Sequence, residues 1–86
     1  MTRGVADWIN ENDTTAGFRS LMVQQCLARH SLGDWGLVCA EDKLLNDAGL
    51  DGSDRLMSVW VVDSTSLWII TEWDRSVTTV LFPSEY

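Results

Sequence analysis

The last third of the chain constrains the fold most. Three runs rich in β-branched and aromatic side chains follow one another: Arg55–Val62 (RLMSVWVV), Leu67–Glu72 (LWIITE) and Val77–Phe82 (VTTVLF). Asp63-Ser64-Thr65 and Trp73-Asp74-Arg75 turn the chain between them. A parallel pair needs a crossover of a dozen residues or more, so links this short leave only an antiparallel meander. Pro83 ends the third run, because it has no N–H to give to a ladder. The first strand can bury either Met57, Val59 and Val61 or Leu56, Trp60 and Val62. Neither set is polar, so both sheet faces are expected to be partly covered.

Upstream, apolar residues recur at helical spacing. Phe18, Leu21, Met22 and Cys26, widened by Val23 and Leu27, predict the buried stripe of a helix. Its start is placed at Thr14 or Thr15, with Asp13 at the positive end of the dipole. Arg29 and His30 fall in its last turn, and Gly33 is the candidate left-handed cap. A second helix is expected after Asp34 as N-cap. Its buried side is read as Trp35, Val38 and Leu45, with Cys39 and Ala48, and Glu41, Asp42 and Lys43 lie opposite. Asn46-Asp47 and Gly49 end it. Residues 1–13 are polar except for Val5, Trp8 and Ile9, whose spacing fits one short helix. The order predicts an α+β, two-layer fold in a single domain over 1–86: two main helices, then a three-stranded antiparallel meander. Eighty-six residues give a thin core, and large aromatic bodies such as Trp60 and Trp68 are expected to fill it.

Little in the chain carries chemistry. Cys26 and Cys39 form no CxxC, and His30 is the single histidine, so no zinc set is expected. Both thiols read as free in a reducing cytoplasm; the first residues do not form a signal peptide, and no run approaches the roughly 20 apolar residues of a membrane span. Cys26 and His30 share a helical face at i, i+4. Cys26 continues the apolar stripe and reads as core, and His30 reads as a solvated residue at a helix end. The pairs Glu41/Asp42 and Glu72/Asp74 lack the enclosing cleft that would shift their pKa values. The glycines are isolated and form no phosphate loop. The expectation is a protein without enzymatic activity, catalytic residue, metal or cofactor.

Charge is the remaining signal. Asp34, Glu41, Asp42, Asp47, Asp51 and Asp54 face one base, Lys43, within a quarter of the chain, and the whole chain carries a net charge of −7. Phosphate binders gain affinity from Lys and Arg, so direct nucleic-acid binding is excluded, as is an anionic membrane surface. The complementary partner is a basic surface on a host protein or nucleoprotein complex. Those six carboxylates are the candidate partner-binding residues. Glu72, Trp73 and Asp74 form a second contact edge, with Trp73 as an exposed anchor at a turn.

Gly33-Asp34-Trp35-Gly36, Glu41-Asp42-Lys43, Asn46-Asp47, Arg55-Leu56, Ser58-Val59 and the final stretch from Trp68 to Tyr86 (WIITEWDRSVTTVLFPSEY) together carry a resemblance. The region from about residue 31 to 86 resembles a family of small proteins of unassigned function found on plasmids, phages and other mobile elements. The chain departs from that pattern at Leu37 and Trp73, where an acidic and a small residue are expected. The family supplies no catalytic residues to carry over. Small acidic mobile-element proteins in turn resemble anti-defence factors such as anti-CRISPR proteins and DNA mimics. The resemblance implies an inhibitor in a bacterial cytoplasm that occludes a basic DNA- or RNA-binding surface, a CRISPR effector subunit being the leading target. The alternative is a toxin–antitoxin or plasmid-maintenance partner.

Overall fold

A computed structural model describes residues 1–11, 16–50 and 54–86. Its elements run α1 (Arg3–Asn10), α2 (Ala16–Ser31), α3 (Ala40–Gly49), β1 (Leu56–Val62), β2 (Thr65–Thr71) and β3 (Thr78–Leu81), with a 3-10 turn at Pro83–Glu85. This is the predicted α+β architecture, helices first, then an antiparallel sheet in the order β1-β2-β3.

The first hairpin closes on two residues. Asp63 and Ser64 both take positive φ, 50° and 61°. That geometry matches the right-handed twist of the flanking strands, and Val62 faces Thr65 across it. β2 therefore starts two residues earlier than its apolar run. At the second turn Arg75 takes φ 63°. Asp74 Oδ1 stabilises this turn by accepting the Ser76 N–H at 3.0 Å and the Ser76 hydroxyl at 2.6 Å.

Register decides which side chains share a face. Trp60 faces Leu67, and Ile69 faces Val80. These residues join Val62, Val5, Trp8, Ile9, Val23 and Cys26 in the main core. The helices α1 and α2 thus cover the face at Trp60 and Val62, and Trp35 and Val38, from the segment before α3, pack against Leu56 at its other end. Burying each large apolar side chain contributes about 1.5–3 kcal/mol. The other face is half covered. Val61 is exposed, Met57, Val59 and Trp68 are half-buried, and Tyr86 meets Trp68 edge-on at 5.4 Å. Trp68 is therefore a partly covered residue of the second face, whereas Trp60 lies in the core as expected.

Both sheet edges are tied down. The Thr2 N–H donates to the Val80 carbonyl at 2.9 Å, and the Thr2 hydroxyl oxygen accepts the Val5 N–H at 3.2 Å to cap α1. At the β1 edge, Leu37 N–H donates to Val59 O at 2.8 Å and Val59 N–H to Trp35 O at 3.2 Å. Gly36 lies at the centre of this short parallel bridge. Its φ is +65°, and a Cβ there would collide with the Val59 carbonyl oxygen.

This bridge corrects the expected start of the second helix. Trp35 to Cys39 is not helical; α3 begins at Ala40, with Cys39 at the N-cap position. Asp34 instead closes a small turn, accepting the Gly36 N–H at 3.0 Å. Val38 is buried as predicted, but Leu45, Cys39 and Ala48 are exposed. Gly33 caps α2 as predicted, at φ +84°; the Asp34 N–H reaches the Arg29 carbonyl and the Gly33 N–H reaches that of His30. The expected start of α2 at Thr14 or Thr15, with Asp13, lies outside the described residues.

The stripe on α2 is also corrected. Phe18 and Leu21 are about half exposed, while Arg19, Val23, Cys26 and His30 are buried. The i, i+4, i+7, i+11 face wins because two polar members, Arg19 and His30, find buried partners on the sheet and on α1.

Candidate functional site

α3 sits against β1 through a polar side. Asn46 receives the Met57 N–H on its Oδ1 at 3.1 Å and returns its Nδ2–H to the Met57 carbonyl at 2.6 Å. Asn46 and Gly49 are buried and Asp42 is half-buried, at i, i+4, i+7 spacing. Glu41, Lys43, Leu44, Leu45, Asp47 and Ala48 are exposed.

The predicted acidic residues separate by environment. Asp34 lies 3.8 Å from Arg29, and Glu72 pairs with Arg55 at 2.8 Å, so both are partly neutralised. Asp47 accepts the Trp35 indole N–H at 2.9 Å and remains exposed. Among the described residues, no ion pair within 4.0 Å joins Glu41, Asp42, Asp47, Asp54 or Asp74. Asp51 lies outside the described residues. Trp73 is 65% exposed, in keeping with its predicted place at a turn.

Arg75 brings the two predicted contact edges together. Its guanidinium donates to the carbonyl of Gly49 at the end of α3, to Asp54 O at 2.7 Å, and to Glu72 O and Trp73 O. A cation on the last carbonyls of a helix also complements its dipole. Asp54, Trp73 and Asp74 therefore gather at the C-terminal end of α3. The Ser76 hydroxyl and N–H together hold the Asp74 carboxyl below its ordinary pKa.

His30 is buried, at 5% exposure, which overturns the expectation of a solvated helix end. Its Nδ1 lies 2.7 Å from Ser58 Oγ and its Nε2 lies 2.9 Å from Thr71 Oγ1. The Trp60 indole donates to the same Ser58 oxygen at 2.7 Å, and Thr71 continues to Thr78 at 2.8 Å. The Trp35 ring meets the imidazole edge-on at 5.4 Å. One direction of donation satisfies every buried group. Ser58 O–H donates to Nδ1, Nε2–H donates to Thr71, and Thr71 donates to Thr78. The imidazole is then neutral, and burial pushes its pKa below the ordinary value. Ser58 has no solvent exposure, whereas His30 and Thr71 line an open cavity beside it. This cavity, of about 510 Å3, lies between Leu27, Leu50, Leu56, Thr71 and Arg75.

Arg19 is a second buried polar group. It reaches Asp63 through Nε at 2.9 Å and Nη2 at 2.8 Å, and donates to the Trp8 carbonyl at 2.6 Å. Its guanidinium also lies over the Trp8 ring at 4.4 Å. One side chain thus joins α1, α2 and the first hairpin. Neither Arg19, Arg75 nor Asn46 is marked by sequence spacing. Polarity alone places each on a surface; Arg19 and Asn46 are buried, and Arg75 stays exposed while it bonds backbone carbonyls.

Both cysteines are free, Cys26 buried and Cys39 exposed. Burial is the main cause that raises the Cys26 pKa, partly offset by Arg29. Among the described residues, no group of three or more His, Cys, Asp or Glu side chains could hold a metal ion, and no helix is long and apolar enough to cross a membrane. Comparison with protein-family models, curated proteins and solved structures finds no match to this chain.

Proposed function

We propose that this protein works by contact, as a small acidic inhibitor that occupies the basic DNA- or RNA-binding surface of a host defence complex, with a CRISPR effector subunit as the target. The observation that carries the reading is how the chain disposes of its cations. Arg3, Arg19, Arg29 and Arg55 face carboxylates at 3.9, 2.8, 3.8 and 2.8 Å, and Arg75 donates to backbone carbonyls. The carboxylates of α3 and of its C-terminal end are left without such partners among the described residues. Exposed Glu41, Asp47, Asp54 and Asp74, with Lys43 as the one base on α3, leave an excess of negative charge there in a molecule whose net charge is −7. A basic groove would be attracted to that excess, and the attraction would fall steeply with salt. The resemblance of residues 31–86 to mobile-element proteins supports the same partner class.

The test is a pull-down with the tagged protein from a CRISPR-bearing bacterial lysate at low and high salt, with the bound proteins identified by mass. Effector subunits retained only at low salt, and lost by the double reversal Glu41→Lys/Asp54→Lys, would support the reading. Retention unchanged by that reversal would refute its electrostatic basis. Recovery of a small basic protein encoded beside this one would replace it with the maintenance-partner reading.

A further inference from the structure

The helix α3 carries its most apolar side chains outward. Leu44 is 71% exposed and Leu45 65%, and Ala48 is exposed as well. With Glu41 these residues stand at i, i+3, i+4 and i+7, so they form one face of the helix. The side turned to the sheet is instead Asp42, Asn46 and Gly49, held by hydrogen bonds to Met57. A helix that binds its own sheet through polar groups leaves its leucines free for another surface. Glu41 lies within that stripe, and exposed Asp47 lies beyond it on the same helix. Leu37, 66% exposed, stands in the segment that leads into α3.

We propose that α3 is a docking helix for a partner protein that presents an apolar strip bordered by lysine or arginine, such as a basic amphipathic helix. Leu44, Leu45 and Ala48 enter the strip, and Glu41 and Asp47 face the flanking cations. Charge selects this occupant over a second copy of the chain, because α3 carries Glu41, Asp42 and Asp47 against one base, Lys43, so two such helices laid together repel on balance. The proposal rests on the contact reading above and names the chemistry of its partner.

The test uses the full chain and two probes: a helical peptide of leucine and lysine in amphipathic order, and polylysine of the same length. Binding is followed by isotope-labelled NMR and titration calorimetry. The amphipathic peptide should shift α3 resonances, and Leu44→Ser/Leu45→Ser should weaken it at least about tenfold, equal to about 1.4 kcal/mol. Polylysine binding should be unchanged by that variant. Both leucines are exposed, so the variant keeps its fold, checked by the same spectra. Unchanged affinity for the amphipathic peptide, or shifts confined to the Val61 and Trp68 sheet face, would overturn the proposal. So would self-association that the variant abolishes, since it would assign the stripe to a second copy. Polylysine bound throughout would leave the acidic reading standing even then; polylysine unbound at low salt would refute that reading by itself.

Discussion

Lowering the pH through the histidine range should destabilise this protein through a single proton. His30 is the only histidine. Folded, it sits between Ser58 and Thr71 as a neutral ring, and burial depresses its pKa. In the unfolded chain it titrates near 6.5. Between the two values the unfolded state binds one more proton than the folded state. Stability is therefore fully present above about pH 6.5 and is lost as the pH falls toward the folded pKa. One proton gives a slope of at most about 1.4 kcal/mol per pH unit. The relay explains why the ring resists protonation. An imidazolium would donate at both nitrogens, so Ser58 would accept from His30 and Trp60 together. Its own hydroxyl proton would then have no partner, at a site with no solvent exposure. The assay is urea unfolding followed by tryptophan fluorescence at steps from pH 8 to 5.5, above the carboxylate range. His30→Gln should cost about 1–3 kcal/mol at pH 8 and should flatten the slope. A wild-type curve that is level across this window, or a slope that survives in His30→Gln, would refute the reasoning.

Two further outcomes follow from buried groups. Arg19→Met should destabilise the domain by about 2–3 kcal/mol in the same urea assay. It removes the partner of half-exposed Asp63 and leaves the Trp8 carbonyl with only the long Glu11 N–H bond at 3.4 Å; an effect under about 0.5 kcal/mol would show that the clamp contributes nothing. In the native protein at pH 8 a thiol reagent should modify Cys39 alone, because Cys26 is buried and its pKa is raised, and denaturant should release the second thiol; equal rates for both in the folded state would contradict the packing of α2.

The strands were legible because their signals are local. β-branched runs, short turns and Pro83 specify a meander without reference to the rest of the chain, and the outcome differs only at strand ends. The cap at Gly33 was legible for the same reason, since a left-handed residue after a helical run has few alternatives. The rotation of α2 was not. The face that is buried is the less apolar one, and the choice falls to Arg19 and His30, whose partners Asp63, Ser58 and Thr71 lie far along the chain. The start of α3 was hidden by a tertiary contact as well. Asp34-Trp35 reads as a helix start until Gly36 is bridged to Val59, which spends those residues on the sheet edge. Among the candidate contact residues, exposure could be read for Glu41 and Asp47, whereas for Trp73 only its place at a turn could be read. The partial neutralisation of Asp34 by Arg29 and of Glu72 by Arg55 could not, because those pairings depend on how the loop and the strands are laid.

The attachment of α3 differs in kind from that of the other helices. The main core is closed by α1, α2 and the sheet, and it contains no residue of α3. α3 is held instead by directional bonds: Asn46 to the Met57 backbone, the Trp35 indole to Asp47, and Arg75 to the Gly49 carbonyl. Such bonds fix orientation while burying little apolar surface, so they leave Leu44 and Leu45 with their full capacity for a partner. They also make the helix sensitive to distant polar changes. Loss of the Arg75 guanidinium would release the C-terminal end of α3 and, with it, the turn that carries Trp73 and Asp74. The domain would keep its core while the two contact edges lost their common anchor. On the proposed contact reading, binding and folding are carried by different side chains, so Arg75→Met should weaken partner binding by more than it lowers global stability.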